Sequence, residues 1–136
     1  MKKTGLYIHI PFCERKCHYC DFTSVPGSKD LMDRYVEYLS REISIVSDTY
    51  ENLLIGTVFI GGGTPSVLHE EKMAAIVKAV RRNFTLDPHA EVTIEINPGT
   101  LTIDKAISYR ESGINRASVG IQTMNDGILK TIGRIH

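Results

Sequence analysis

Apolar and polar positions change their period several times along the chain. Short segments that alternate or are rich in β-branched residues predict strands over Leu6–Ile10, Thr57–Ile60, Val92–Ile96 and Arg116–Gln122. Between them, Leu31, Tyr35, Tyr38, Leu39, Ile43 and Val46 recur at helical spacing, as do Met73, Ile76, Val77, Val80 and Phe84. Ser28 and Thr64 are the expected N-caps, the latter followed by Pro65 at the favoured first helical position. A shorter helix is expected from about Ile103 to Ser112, stopped by Gly113. A last one begins near Asn125 and fades at Gly133. Strand then helix, repeated along the chain, predicts an α/β fold with a parallel sheet and right-handed crossovers.

The faces of these strands carry more information. Val92, Ile94 and Ile96 alternate with Thr93, Glu95 and Asn97; Leu6, Ile8 and Ile10 alternate with Tyr7 and His9. In the last strand Ala117, Val119 and Ile121 alternate with Ser118, Gly120 and Gln122. Side chains on a strand point to opposite faces in turn, and a parallel sheet carries helices on its apolar side. The apolar sets are therefore expected against helices, and the polar sets together on the other face. A doubly wound sheet would make both faces apolar, and a closed barrel packs its lumen with branched apolar residues. A polar second face favours a wet concavity able to hold a ligand over an open sheet with one solvated face, which is unusual for parallel strands.

Composition changes this picture little. The 136 residues are 42% hydrophobic and 24% charged, an ordinary balance for a soluble globular protein. Sixteen basic residues cancel sixteen acidic ones, so no bulk field draws the chain to nucleic acid or anionic lipid. Apolar runs fall far short of the ~20 residues that span a bilayer. Met1 to Lys3 imitate the start of a signal peptide, but His9, Pro11, Glu14 and Arg15 interrupt any apolar run of that kind. A reducing cytoplasm is the expected setting.

The cysteines carry the chemistry. Cys13, Cys17 and Cys20 stand in a C-x3-C-x2-C run directly after the first predicted strand. An odd number crowded into one loop is no disulfide framework, and three unconnected thiols so close are costly without a metal. Zinc would want a fourth ligand, for which His9 or His18 is available. A 4Fe–4S cluster normally takes four Cys, so three leave one iron open to an outside ligand. Spacing favours iron–sulfur over zinc. Gly61-Gly62-Gly63 after the second strand fits neither a P-loop nor a dinucleotide fingerprint. Glycines there let the backbone approach a ligand; a tight turn capped by Thr64 is the simpler alternative. Glu95 is acidic in the middle of a parallel strand and needs donors, or a salt bridge to Arg116 or Arg134.

Taken together, Tyr7-Ile8-His9-Ile10-Pro11-Phe12-Cys13 with Cys17 and Cys20 resembles the radical SAM superfamily. Within it, the chain is similar to the oxygen-independent coproporphyrinogen III oxidase group and its haem-chaperone relatives. Phe59 to Ser66, Glu95 to Gly99, Asn115 to Gln122 and Gly133 to His136 match in the same order. The resemblance implies a partial (β/α) barrel, here of about four strand–helix units. It implies that Cys13, Cys17 and Cys20 hold a 4Fe–4S cluster whose open iron takes the amino and carboxylate groups of S-adenosylmethionine. Reduction then releases a 5′-deoxyadenosyl radical. Gly62, Gly63 and Thr64 are implied at the methionine end, Glu95 at the ribose, and Gln122 and Arg134 as further cofactor contacts. Tyr7 is implied beside the cluster and Tyr19 near adenine. His9 is expected only to pack or hydrogen-bond, and His18, His69 and His89 to be solvated.

Phe22 occupies the position where the oxidase branch carries a fourth cysteine. Cys20-Asp21-Phe22 and Gly133-Arg134-Ile135-His136 resemble the chaperone branch, which binds haem and passes it to an acceptor protein. The alternatives are an oxidase that decarboxylates coproporphyrinogen in porphyrin biosynthesis, and a zinc-binding structural domain. Whether the chain is catalytic stays open between the first two. A reducing electron-donor protein is implied as a partner; nucleic acid is not. An eight-unit barrel takes ~250 residues, so residues 1–136 are expected to be the amino-terminal part of a longer core domain.

Overall fold

A computed structural model describes residues 2–50 and 52–134. Its main sheet has four strands, β1 (Lys2–Ile10), β4 (Leu53–Gly62), β5 (Thr85–Ile96) and β6 (Arg116–Val119), all parallel and in that spatial order. Two short strands, β2 (Phe12–Cys13) and β3 (Val25–Pro26), pair at the two ends of the cysteine loop. Helices α1 (Lys29–Thr49), α2 (Glu70–Asn83), α3 (Ile103–Ser112) and α4 (Asp126–Thr131) follow the main strands in turn. The expected α/β alternation is present throughout.

The core lies between the sheet and α1 to α3. Ile8, Ile10, Val58, Ile60, Val92, Ile94 and Ile96 from the strands meet Val36, Leu39, Ile43, Met73, Ile76, Val77, Val80 and Tyr109 from the helices. Each such aliphatic side chain contributes roughly 1.5–3 kcal/mol on burial, so this layer holds the sheet in place. Ser28 caps α1 by accepting from Leu31 N–H, and Gly113 ends α3 at φ 101°. Asn125 caps α4 by accepting from Ile128 N–H. No helix is long and apolar enough to cross a membrane among the described residues.

Several expectations change. Leu31 and Tyr38 are exposed, and Val36 takes the place they were expected to share on the buried face of α1. Arg41 covers the Tyr38 ring at 5.3 Å, a solvent-side role an aromatic can fill. β1 and β5 begin earlier than expected, because Lys2–Thr4 and Thr85–Leu86 pair with Leu53–Ile55 on β4. Pro88 lies within β5, where the register shifts, since it has no N–H to offer the ladder. Thr64 stands at the head of a short 3-10 turn over Pro65–Val67 and makes no capping bond, while α2 starts later at Glu70. β6 stops at Val119, and Gln122 adopts φ 66°, so it lies in a left-handed turn and not on the strand. Val119 and Ile121 are exposed there, where the alternation had implied burial against a helix.

The Tyr109 hydroxyl is buried in the core with no hydrogen-bond partner among the described residues. Burial, with a smaller contribution from Glu70, pushes its pKa up to about 12. The neutral phenol is favoured in the fold, so its contribution is complete below the ordinary pKa near 10 and is lost as pH rises toward 12. Tyr109→Phe is expected to leave stability at pH 8 unchanged or raise it by ~1 kcal/mol. It should also flatten the alkaline loss between pH 10 and 12, which urea denaturation across that range would measure.

Candidate functional site

Parallel strands deliver their carboxyl ends to one edge, and here each end carries one of the unusual sequence segments. Ile10 leads into the cysteine loop, Gly62 into Gly63-Thr64, Ile96 into Asn97, and Val119 into Gly120 and Gln122. Together they enclose a cavity of about 310 Å³. Cys13, Cys17, Cys20, Tyr19, Gly62, Gly63, Thr64, Glu95, Gln122 and Arg134 all line it. Of the residues that the resemblance implies at the cluster or at S-adenosylmethionine, Tyr7 is the one outside this lining among the described residues.

Tyr7 lies lower on the same face, stacked on Phe59 with ring centres 6.2 Å apart. Its hydroxyl bonds His9 Nδ1 at 2.9 Å, and His9 Nε2 bonds the Thr23 carbonyl at 3.0 Å. A carbonyl only accepts, so the Nε2 proton points to Thr23 and Tyr7 donates to Nδ1. His9 thus ties the far end of the cysteine loop to β1, in keeping with its expected hydrogen-bonding role. His18, though exposed, is no free surface residue: its backbone N–H donates to Ile132 O at 3.1 Å and its ring lies beside Gly133. It docks the loop on the end of α4. Ile135 and His136 lie outside the described residues.

The three cysteines are free thiols. Among the described residues no three His, Cys, Asp or Glu side chains converge where one ion could be held. The space beside Cys13 is made by glycine: a Cβ on Gly63 would meet Phe12 O at 2.5 Å and Cys13 Sγ at 2.9 Å. Gly62 sits at φ 120°, and a Cβ on Gly61 would meet Glu95 Oε2 at 2.7 Å.

The amides of this glycine run are already engaged. Gly62 N–H donates to Glu95 Oε2 at 3.1 Å, Gly63 N–H to Ile10 O at 2.8 Å, and Thr64 N–H to Phe12 O at 2.6 Å. The glycines therefore offer close approach of the backbone, and their amides are not free to donate to a ligand. Glu95 is half-buried and takes its donor from Gly62, while Arg116 pairs with Glu91 at 3.6 Å and not with Glu95. Arg134, expected as a cofactor contact, is 9% exposed and bonds Asn97 Oδ1 and the Gly120 carbonyl. Burial raises the Tyr7 phenol above its usual range, and the Glu95 charge adds to this. Tyr19 is likewise raised, by burial first, with Arg134 opposing and Cys17 adding.

Sequence reasoning assigned no part to Asn97, Ser66, Thr100 or Lys105. Asn97 Nδ2 donates to Thr64 Oγ1 at 3.1 Å, and its backbone N–H donates to Ser66 Oγ at 3.3 Å. The Ser66 and Thr100 hydroxyls pair with each other, and Lys105 Nζ donates to Ser66 O at 2.6 Å. Burial lowers the Lys105 pKa, against the charges of Glu70 and Glu14. Asn97 shares the polar period-two face with Glu95, a signal that marked its direction but not its partners. Thr93 shares that face yet is fully buried, bonding Glu91 Oε1 at 3.0 Å, so the polar face is dry at its base and wet at its rim.

Known proteins resemble the chain along nearly all of it. The family model described as Radical SAM superfamily matches residues 7–136. A protein of Escherichia coli named Heme chaperone HemW is 41% identical over 133 residues, which cover 97% of this chain and 35% of that protein. Its namesake in Bacillus subtilis is 40% identical over 134 residues, covering 96% of this chain and 35% of the relative. An oxygen-independent coproporphyrinogen III oxidase of Bradyrhizobium diazoefficiens is 38% identical, covering 96% of this chain and 30% of its own length. The solved structure of coproporphyrinogen III oxidase (HemN) from Escherichia coli, titled a radical SAM enzyme, superposes with a TM-score of 0.90 at 29% identity. That match covers 97% of this chain and 31% of the other. The chain thus spans about a third of the length of the relatives it matches.

Gly63→Ala should push the Phe12 backbone and the Cys13 sulfur away, and the rigid Phe12 carbonyl, unlike a flexible side-chain end, cannot yield cheaply. A loss of ~1–3 kcal/mol is expected by denaturant titration. Gly120→Ala, whose Cβ would meet nothing closer than Gln122 Nε2 at 3.3 Å, should cost much less.

Proposed function

The chain belongs to the radical SAM superfamily, and on that premise we propose that it forms the cluster- and S-adenosylmethionine-binding part of a haem chaperone of the HemW kind. One observation carries the reading: the three thiols of the C-x3-C-x2-C loop share one cavity with Gly62, Gly63, Thr64, Glu95, Gln122 and Arg134. The family brings with it a 4Fe–4S cluster and S-adenosylmethionine. The site fits such a group, because its thiols are free and the absence of a Cβ at Gly63 lets Cys13 Sγ sit against the glycine run. When bound, the two cofactors together supply one-electron cleavage of a carbon–sulfur bond.

Cys13, Cys17 and Cys20 would hold the cluster through their sulfurs. With the amides of residues 62–64 engaged, the glycine run turns no N–H donor toward the ligand at these positions, which suits its ammonium and sulfonium end. Glu95 has one oxygen on Gly62 N–H and further lone pairs for ribose hydroxyls. Gln122 and Arg134 close the cavity from the end of β6, and Tyr19 covers it from the loop side. Tyr7 acts through His9 on the cysteine loop.

The chaperone assignment draws on the HemW relatives and on Phe22, which lines the cavity where the oxidase branch carries cysteine. In that role the full-length protein would work in the cytoplasm, take electrons from a reducing protein and hand haem to an acceptor protein. A second reading, coproporphyrinogen oxidation, draws on the Bradyrhizobium relative and the superposition on HemN.

Anaerobic reconstitution with iron and sulfide should give a brown protein with about four irons per chain; a colourless product holding one zinc ends the reading. Glu95→Ala should weaken S-adenosylmethionine binding ~10-fold or more, about 1.4 kcal/mol, without changing iron content. Equilibrium binding and iron analysis on the same preparation check both halves. The full-length protein should bind haem and leave coproporphyrinogen unconsumed. Porphyrinogen turnover would instead establish the oxidase.

A further inference from the structure

Polar side chains above the strand ends form a hydrogen-bonded series whose direction is determined at each link. A guanidinium only donates, so the Asn97 atom 3.4 Å from Arg134 Nη1 is the side-chain oxygen. The Asn97 nitrogen therefore faces Thr64 and donates to Oγ1 at 3.1 Å. That bond occupies a lone pair of the hydroxyl and leaves its proton to point elsewhere. The neighbour in that direction is Cys13 Sγ, 3.5 Å away. Asn97 is itself clamped from behind, its N–H on Ser66 Oγ at 3.3 Å and its carbonyl on Thr100 Oγ1 at 2.8 Å. Thr64 is 4% exposed, so water hardly competes for its hydroxyl.

We propose that Asn97 is a positioning residue that aims the Thr64 hydroxyl at the Cys13 sulfur, and that this hydrogen bond raises the reduction potential of the cluster held there. The inference rests on the reading of Cys13, Cys17 and Cys20 as cluster ligands. Reduction of such a cluster adds one electron and takes up no proton. The added negative charge spreads onto the cysteine sulfurs, so a donor to one of them stabilises the reduced form more than the oxidised one. Shelter from water strengthens that donor. Arg134, by holding the Asn97 oxygen, links the β6 side of the cavity to a sulfur on the β1 side.

The test is a dithionite titration followed by electron paramagnetic resonance on the full-length protein, with its cluster reconstituted and no S-adenosylmethionine added. Thr64→Val should move the midpoint to a more negative potential. Thr64→Ser, which keeps the hydroxyl, should restore the wild-type value. Thr64→Ala is a smaller replacement that should reproduce the negative shift without crowding the site. Asn97→Leu should shift the midpoint the same way by a smaller step, and that step should vanish in the Thr64→Val and Thr64→Ala backgrounds. Midpoints unmoved in Thr64→Val and Thr64→Ala overturn the proposal, and so does an Asn97→Leu shift that adds in full to theirs. Iron content measured beforehand separates the two levels. A wild-type protein without cluster ends the functional reading, whereas a normal cluster with unmoved midpoints ends this inference alone.

Discussion

The site depends on how closely two backbones approach at Gly63. Past the end of β4 the chain keeps pairing alongside β1, with Gly63 and Thr64 donating to Ile10 and Phe12 carbonyls. This extension beyond the regular sheet places the first cysteine against the glycine run. A side chain at residue 63 would occupy the space that Phe12 O and Cys13 Sγ already fill. Everything else at the rim is arranged around that approach. The β2–β3 pairing closes the loop, His9 anchors Thr23, and His18 docks on the end of α4. Together these contacts bring the thiols into the cavity above a rigid, packed sheet.

Much of this was legible because its signals are local. Period-two alternation in Val92–Ile96 separated core from site, and the structure buries Val92, Ile94 and Ile96 while leaving Glu95 and Asn97 at the rim. The cysteine spacing and glycine run marked two of the four strand ends. Where expectation failed, the deciding contact came from far along the chain. Lys2–Thr4 carry no strand pattern of their own and are recruited by β4. Gln122 was placed by extending the alternation, yet the chain bends into a left-handed turn there. Its side chain still reaches the cavity, by a route the pattern does not encode. Arg134 is buried because Asn97 and Gly120 receive it, partners that nothing near it in sequence announces.

The layer behind the site was the least legible part. Ser66 and Thr100 are small polar residues 34 positions apart, and nothing local to either predicts that their hydroxyls pair in the core. Lys105 likewise spends a charged group on the Ser66 carbonyl. Such residues satisfy buried donors and acceptors that irregular backbone leaves behind at a strand end. Their effect is to make the segments after β4 and β5 one rigid unit, so that Thr64 and Asn97 hold a common geometry.

Satisfying the glycine-run amides within the protein has a consequence for selectivity in a crowded cell. Adenosine circulates mostly as phosphate esters, which outnumber the sulfonium derivative and share its base and sugar. A loop with outward N–H groups would gather those anions. Here the N–H groups of Gly62, Gly63 and Thr64 point into Glu95, Ile10 and Phe12. A triphosphate brought to the glycine run finds these amides already bonded within the protein, and a carboxylate beside them. Backbone hydrogen bonding alone thus withdraws the donors that an anion needs at these three positions.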